Sequence, residues 1–160
     1  MRIKNIVDED FINYKDPSMF IFTIHCSGKC CIEQNVSFDI CQNHEWQTCS
    51  IIDMSDDKII DRYLNNHITK AIIFGGLEPF DQFEELKNFI HKFRVTYGCQ
   101  DVIVIYTGYN KEEIDSEISS LSDYKNIIVK FGRYKINSNK VYDEVLGVTL
   151  ASENQFAEMI

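Results

Sequence analysis

Short apolar runs rich in β-branched residues alternate along the chain with longer segments in which apolar residues recur at every third or fourth position. A run of the first kind predicts a buried strand, and the second spacing predicts an amphipathic helix. The predicted strands are residues 19–24, 71–74, 102–106, 127–129 and 145–150. Because helical segments lie between these strands, the pattern indicates βαβ units, and so an α/β protein with mostly parallel strands.

Three segments between the strands begin with residues that commonly start helices. Ser55 predicts an N-cap, since its hydroxyl can accept a hydrogen bond from a free amide of the first turn. Asp81 with Glu84 has the spacing of a capping box, and Asn110 with Glu113 opens a third helix. Right-handed crossovers would place such helices on one side of a curved sheet or partial barrel.

Glycine-rich or polar motifs follow directly after every predicted strand. The carboxyl ends of parallel strands meet at one edge of a sheet, and in such folds the chemistry takes place at that edge. The motifs are residues 25–31 and 41–44 after the first strand, then 75–79, 107–109, 130–133 and 152–155. We therefore expect the functional site at this edge.

Composition and charge exclude several classes of protein. The 160 residues are 44% hydrophobic and 26% charged, which fits one globular domain over residues 1–160. With 16 basic and 25 acidic residues the net charge is −9, which disfavours nucleic acid as a partner, since its binding relies on Lys and Arg at phosphates. No apolar run approaches the ~18 residues of a membrane span, and the first residues lack a signal-peptide core, so we expect a cytoplasmic protein.

The six cysteines are unusual for a protein of a reducing compartment, and four of them lie close together at Cys26, Cys30, Cys31 and Cys41. Such a cluster indicates metal binding or catalysis rather than disulfides. Three thiolates can hold a [4Fe–4S] cluster by three of its irons and leave the fourth open to another ligand. Adjacent side chains tend to point apart, so Cys26, Cys30 and Cys41 are the favoured set, with Cys31 as the alternative third ligand.

Zinc is the competing interpretation of the same residues. Cys26, Cys30, Cys41 and His44 have a spacing that a zinc site tolerates, which would make the chain a non-catalytic zinc-binding interaction module. The remaining cysteines at positions 49 and 99 are interpreted as small buried hydrophobic residues.

A second motif follows the strand at residues 71–74, where Gly75 and Gly76 precede Glu78 and Pro79. Two glycines let the backbone approach a ligand closely and leave carbonyls unpaired at the edge of the sheet. Carbonyls beside the Glu78 carboxylate suit an ammonium group, such as the α-amino group of an amino acid. The alternative is a simple strand-to-helix turn with Pro79 near the start of the helix.

The three cysteines and the Gly75–Gly76–Leu77–Glu78–Pro79 turn together resemble the radical S-adenosylmethionine (SAM) superfamily. Within it, the chain resembles the activating proteins of anaerobic (class III) ribonucleoside-triphosphate reductase. The pieces that carry this likeness are Cys41–Gln42–Asn43, Tyr106–Thr107–Gly108–Tyr109 and Phe131–Gly132–Arg133–Tyr134, together with the short chain. The resemblance implies a partial, open (β/α) barrel of the radical SAM type.

The resemblance also implies an activity, two cofactors and two partners. The protein would use a [4Fe–4S] cluster to cleave SAM reductively, and would generate a glycyl radical on the glycyl-radical subunit of an anaerobic ribonucleotide reductase. Its electron donor would be a flavodoxin- or ferredoxin-like protein. A radical SAM enzyme that acts on a small molecule, such as a deazapurine synthase, is the alternative, because it would share the same cluster and SAM residues.

By the same resemblance, individual residues take roles at the site. The cluster ligands, and so the catalytic residues, would be Cys26, Cys30 and Cys41, with Cys31 as the rival third ligand. The residues implied to bind SAM are Gly75, Gly76 and Glu78 for its amino group, with Thr107, Lys130 and Asn43 beside them. Two further residues, Asn154 and Gln155, would face the adenine or the partner peptide.

Overall fold

A computed structural model describes residues 1–160, and its centre is a six-stranded sheet in the order β10-β7-β6-β5-β3-β2. Strands β3, β5, β6 and β7 are mutually parallel, while β2 and β10 pair antiparallel at the two edges. The fold is therefore mixed α/β with a mostly parallel central sheet. The strands are β1 Arg2–Ile3, β2 Asn5–Asp10, β3 Ser18–Phe22, β4 Ile52–Asp53, β5 Ala71–Gly75, β6 Val102–Tyr106, β7 Ile127–Phe131, β8 Val141–Asp143, β9 Val148–Leu150 and β10 Phe156–Met159.

Helices connect the parallel strands in the order that the sequence pattern predicts. They are α1 Lys29–Glu33, α2 Asp56–Leu64, α3 Phe83–His91 and α4 Asp115–Leu121, and a π-helical turn, Lys92–Thr96, continues α3. The predicted N-cap of α2 is confirmed, since the Ser55 side chain accepts a hydrogen bond from the Lys58 amide. None of the helices combines the length and the apolar composition needed to cross a membrane.

The two faces of the sheet are covered differently. Alternate residues of each strand point to opposite faces, so Met19 and Ile21 lie in one core cluster while Phe20 lies in the other. The larger cluster contains the apolar faces of α2, α3 and α4, and so all three helices pack on one side. The opposite face is covered instead by Tyr14 and by Leu146 and Leu150 from the region of the β8–β9 hairpin. This helix-free face leaves space beside the carboxyl ends of the strands.

Three local predictions differ from the structure. The segment 145–150 is a strand only from Val148, because a turn at Gly147 (φ 72°) separates β8 from β9. Helix α3 starts at Phe83 after a 3-10 turn, Pro79–Gln82, and Asp81 does not cap it. The predicted Asn110–Glu113 capping box exists, but it closes a 3-10 turn, Lys111–Glu113, that precedes α4.

Candidate functional site

Hydrogen bonds join the carboxyl ends of neighbouring parallel strands, from which the loops of the site begin. The Thr23 amide donates to the Gly75 carbonyl (3.0 Å), which joins the ends of β3 and β5. The Thr107 amide donates to the Lys130 carbonyl (2.9 Å), which joins the ends of β6 and β7. The motifs that follow these strands therefore begin from fixed positions along one edge, as the βαβ pattern predicts.

The long segment between β3 and β4, here called the cysteine loop (residues 23–51), carries five of the six cysteines. It turns at Gly28, which has φ 69° and precedes α1. A Cβ on Gly28 would lie 1.9 Å from the ring of Phe38, so glycine is required here on both backbone and steric grounds. The turn places Cys30 and Cys31 on α1, directly beside the carboxyl edge.

The structure gathers the predicted thiols around two adjoining cavities. Cys26 and Cys30 line a small cavity of about 30 Å³. Cys30, Cys31 and Cys41 line a large one of about 500 Å³. The sulfurs of Cys30 and Cys31 are 3.9 Å apart, and Cys31 is buried. No three His, Cys, Asp or Glu side chains are close enough together to hold a metal ion. The structure therefore brings the predicted thiols near one another but does not place three of them around one point.

The donor set nevertheless fits an iron–sulfur cluster in its chemistry. Burial raises the pKa of the Cys26 thiol to about 12, and burial together with Cys31 raises the pKa of Cys30. Metal binding at these thiols therefore has to release their protons. Cys41 lies between two 3-10 turns, Phe38–Ile40 and His44–Gln47, whose backbone hydrogen bonds are all local. It can thus approach Cys30 without breaking long-range backbone bonds.

Glu78 is a buried carboxylate that joins the ends of β5 and β6. Its side chain is 6% exposed. It accepts hydrogen bonds from the Thr107 hydroxyl (2.7 Å), the Gly108 amide (2.8 Å) and the Phe80 amide (3.2 Å). Burial raises the pKa of Glu78 to about 7 in spite of these three donors, and the charge of Asp81 adds to the rise. Glu78 therefore holds the turn that follows the two glycines.

We expect the pKa of Glu78 to make the iron-free chain less stable as the pH rises from about 5 to 7. The pKa rises from its usual 4.5 to about 7 on folding. In that window the folded chain keeps a proton that the unfolded chain releases, so stability falls by up to about 1.4 kcal/mol per pH unit. The free energy of unfolding, measured in urea at a series of pH values, tests this.

The substitution Glu78→Gln removes the titration and should flatten this part of the curve. Glu84→Gln on the exposed face of α3 is the matched control and should leave the slope as it is. Parallel curves for wild type and Glu78→Gln between pH 5 and 7 would show that another group causes the slope.

The two glycines of the turn differ in what their carbonyls can still accept. The Gly75 carbonyl already accepts bonds from the Thr23 amide and hydroxyl and from the Leu77 amide. The Gly76 carbonyl accepts none from the chain. Gly76 has φ 78°, and a Cβ there would lie 2.4 Å from the Phe22 ring. Of the two carbonyls expected to meet an ammonium group, Gly76 is therefore the one that is free.

Lys130 brings a positive charge to the large cavity. It lies on β7 two residues after Ile128, and so on the helix-free face of the sheet. Its ammonium donates to the Gly132 carbonyl (2.9 Å) and lies 3.4 Å from the Thr107 carbonyl. Burial lowers its pKa to about 8. A buried lysine on a cavity wall whose hydrogen bonds go only to carbonyls is suited to an anionic group such as a carboxylate.

Of the other residues expected to contact a cofactor or the partner peptide, only Gln155 lines the large cavity. The hydroxyl of Thr107 is engaged by Glu78 and by the Tyr109 amide (3.0 Å), so Thr107 positions Glu78 and does not line the large cavity. Asn43 lies just outside that cavity, which its neighbour Gln42 lines. Gln155 lines the cavity, whereas Asn154 is turned to the Arg133 carbonyl (2.9 Å).

Asp81 has a role that sequence reasoning missed. Instead of capping α3, it accepts bonds from the Ser27 amide (2.9 Å) and the Tyr109 hydroxyl (2.7 Å), and its carboxylate lies 2.9 Å from His25 Nδ1. It thereby fixes the start of the cysteine loop to the edge of the sheet. The position of Asp81 in the turn after Glu78 is the only sequence feature that indicates this role. Its spacing to Glu84 instead favours a helix cap.

The two cysteines predicted to be buried differ in their exposure. Cys49 is exposed, so the prediction of a small buried hydrophobic residue is wrong for it, whereas Cys99 is half-buried and packs against the larger core cluster. Cys49 lies at the end of the cysteine loop, where its thiol donates a long bond to the Glu45 carbonyl (3.5 Å). Cys99 follows the end of α3, where Arg94 donates to its carbonyl (2.8 Å).

Comparison with known proteins gives one match. A family model described as a 4Fe-4S single cluster domain matches residues 18–155, which run from the start of β3 to the residue before β10. The match covers the cysteine loop, the Glu78 turn and Lys130. No curated protein and no solved structure matches the chain.

Proposed function

The chain belongs to the 4Fe-4S single cluster domain family, and from this membership we propose that it is a radical SAM activase. Its substrate would be the glycyl-radical subunit of an anaerobic ribonucleotide reductase. The observation that carries the proposal is the cavity of about 500 Å³ lined by Lys130 and the thiols of Cys30, Cys31 and Cys41, which adjoins at Cys30 the small cavity that Cys26 lines. The volume of the large cavity falls within the ~300–1,000 Å³ of typical small-molecule sites.

In this proposal Cys26, Cys30 and Cys41 hold the cluster, and Cys31 is the alternative third ligand. When bound, the cluster supplies the electron that cleaves SAM to methionine and a 5′-deoxyadenosyl radical. The residues of the chain bind SAM and orient it. Lys130, which lines the large cavity, would bind the carboxylate of SAM. The Gly76 carbonyl, which accepts no hydrogen bond from the chain, would accept one from the α-ammonium group of SAM.

Glu78 and Thr107 would act on SAM indirectly, by fixing the turn that carries Gly76. Their mutual hydrogen bond of 2.7 Å is buried and joins two strand ends, so the turn keeps its position when SAM binds. Gln155 would close the cavity opposite the cysteine loop. Its side chain donates to the Gly132 carbonyl (3.1 Å) and accepts from the Ser152 amide (3.1 Å), which holds that wall in place.

A protein substrate is supported by the apolar side chains around the mouth of the cavity. Ile12 is 76% exposed and Ile40 is 44% exposed, and both line the cavity. Phe11, next to Ile12, is 62% exposed. Exposed apolar side chains gathered at one opening are typical of a protein-binding surface. A loop of the reductase that carries the glycine would enter there, and a flavodoxin- or ferredoxin-like protein would supply the electron.

The test is anaerobic reconstitution of the chain, followed by counts of iron, sulfide and zinc. The same sample is then reduced with dithionite in the presence of SAM and assayed for 5′-deoxyadenosine. We expect about four irons per chain, as a [4Fe–4S] cluster requires, and 5′-deoxyadenosine only when both SAM and reductant are present. Stoichiometric zinc without iron and without SAM cleavage would instead establish a zinc-binding module.

A second step identifies the substrate class. The reconstituted chain is incubated with an anaerobic ribonucleotide reductase, and the glycyl radical is sought by electron paramagnetic resonance. A radical signal on the reductase supports the activase. SAM cleavage with no radical on any reductase offered would point to a small-molecule substrate, as in a deazapurine synthase.

A further inference from the structure

Helix α1, which carries Cys30 and Cys31, has little that stabilises it from within. It spans the five residues Lys29–Glu33, and its N-cap, Gly28, offers no side-chain hydrogen bond. It has no acidic residue in its first turn and no basic residue in its last. An isolated helix of this length is unstable in water, because its nucleation costs more than its few hydrogen bonds return. Its position must therefore depend on contacts with the rest of the molecule.

Ion pairs hold the two ends of α1 to the 3-10 turn before α4 and to the segment that follows β7. At the first residue, the Lys29 ammonium bonds to Glu113 Oε1. At the last, Glu33 Oε2 lies 2.9 Å from Arg133 Nε, in an ion pair without the alignment of a hydrogen bond. Arg133 and Glu113 are themselves joined by two bonds of 2.6 and 2.7 Å. We call these four residues the charge clamp.

Burial makes the centre of this clamp strong. The Arg133 side chain is only 9% exposed, compared with 43% for Arg62 in its ion pair with Asp8. A shielded bidentate pair of arginine and carboxylate is among the strongest side-chain contacts in proteins, whereas exposed pairs contribute little. Removing one partner of a shielded pair leaves the other charge uncompensated.

Gln34 fixes the end of α1 by a separate contact. Its amide nitrogen donates to the Cys30 carbonyl and to the Tyr134 carbonyl, each at 2.8 Å. Its amide oxygen accepts from the Ile136 amide (3.0 Å). The residues immediately after Arg133 thus bind the C-terminal end of α1, beside the ion pair that Arg133 makes with Glu33.

We propose that Glu113 and Arg133 are positioning residues that hold Cys30 in place as a cluster ligand. Neither residue forms a hydrogen bond to a cysteine thiol, and both act through the two ends of α1. The proposal rests on the assignment of Cys30 to the cluster made under the proposed function. Outer partners that orient metal ligands typically contribute 10–100-fold to metal affinity.

The substitution Glu113→Gln tests the clamp selectively. Glutamine can still accept the Asn110 amide bond of the capping box, which measures 2.9 Å, but it removes the charge that Lys29 and Arg133 share. In the iron-free chain we expect faster hydrogen exchange at the amides of α1, with exchange in β5 and β6 unchanged. In the reconstituted chain we expect a chelator to remove iron roughly tenfold faster or more.

The matched control is Asp8→Asn, which breaks the bidentate Arg62 pair far from the cysteine loop. Asp8→Asn should change neither hydrogen exchange in α1 nor the rate of iron release. If hydrogen exchange in α1 and iron release both keep their wild-type rates in Glu113→Gln, the proposal is overturned. If Glu113→Gln raises exchange throughout the chain, Glu33→Gln decides, because it removes only the contact between α1 and the shielded Arg133, keeps the Glu113–Arg133 pair and should loosen α1 alone. A wild-type chain that holds no cluster would refute the proposed function, while the exchange measurement would still decide the clamp.

Discussion

Replacing Cys30 with serine is expected to abolish iron binding by the reconstituted chain. Cys30 is the one thiol that lines both cavities, which places it between Cys26 and Cys41. Serine keeps the size of the side chain but offers a hard, protonated oxygen in place of a soft thiolate. Since loss of an outer partner already weakens metal binding 10–100-fold, loss of a ligand should lower retained iron by more than about tenfold. Iron analysis and visible absorbance after gel filtration measure this.

A series of single cysteine variants sharpens that result. Cys26→Ser and Cys41→Ser should lose iron as Cys30→Ser does, whereas Cys31→Ser should retain it. Cys49→Ser is the control, because that thiol is exposed and lines neither cavity. Loss of iron in Cys31→Ser with retention in Cys41→Ser would make Cys31 the third ligand. Full iron in Cys30→Ser would remove Cys30 from the site altogether.

Replacing Lys130 with methionine is expected to weaken SAM binding to the cluster-loaded chain by about 30-fold or more. Methionine keeps most of the volume of the side chain and removes only the ammonium group. Truncating one partner of a buried charge pair typically costs at least about 2 kcal/mol, which corresponds to this factor. Equilibrium dialysis of SAM under anaerobic conditions measures the dissociation constant.

The pH dependence of SAM binding provides an independent test of the same residue. The pKa of Lys130 is lowered to about 8, so its positive charge is present below that pH and lost above it. Wild-type affinity should therefore fall as the pH rises through about 8, and the fall should be shallower in Lys130→Met, where only the α-ammonium group of SAM still loses its proton near that pH. Lys140→Met is the control, since Lys140 also lines the cavity but is exposed. Equal losses in both variants would mean that general charge, and not Lys130, attracts SAM.

The central strands could be predicted from the sequence because both of their faces are buried. Residues of β5 and β7 are buried without exception, so each strand is an apolar run, which Lys130 alone interrupts in β7. The edge strands gave no such signal. β2 includes Asp8, Glu9 and Asp10 and is partly exposed, and β10 pairs on one side only. Acidic residues suit an exposed edge, since they discourage pairing with other chains, but they hide the strand from a search for apolar runs.

Short elements of the site escaped prediction for a different reason. α1 has five residues and the turn Pro79–Gln82 has four, which is too few for a hydrophobic period to develop. Both are held by partners distant in the sequence. Asp81 meets His25 across 56 positions, and Lys29 meets Glu113 across 84. Patterns of neighbouring residues cannot predict such distant pairs.

The sequence by itself determined the order of the central parallel strands and of the helices between them, and it indicated the edge of the sheet at which the cysteines gather. Those properties follow from periodicity and residue type, which act over a few neighbouring positions. The tertiary structure alone decided which polar groups stay available at that edge. It engages the Gly75 carbonyl and the Thr107 hydroxyl, leaves the Gly76 carbonyl free, and turns Lys130 into the cavity. A polar group is available only if no distant partner satisfies it, and distant partners meet only when the sheet has formed.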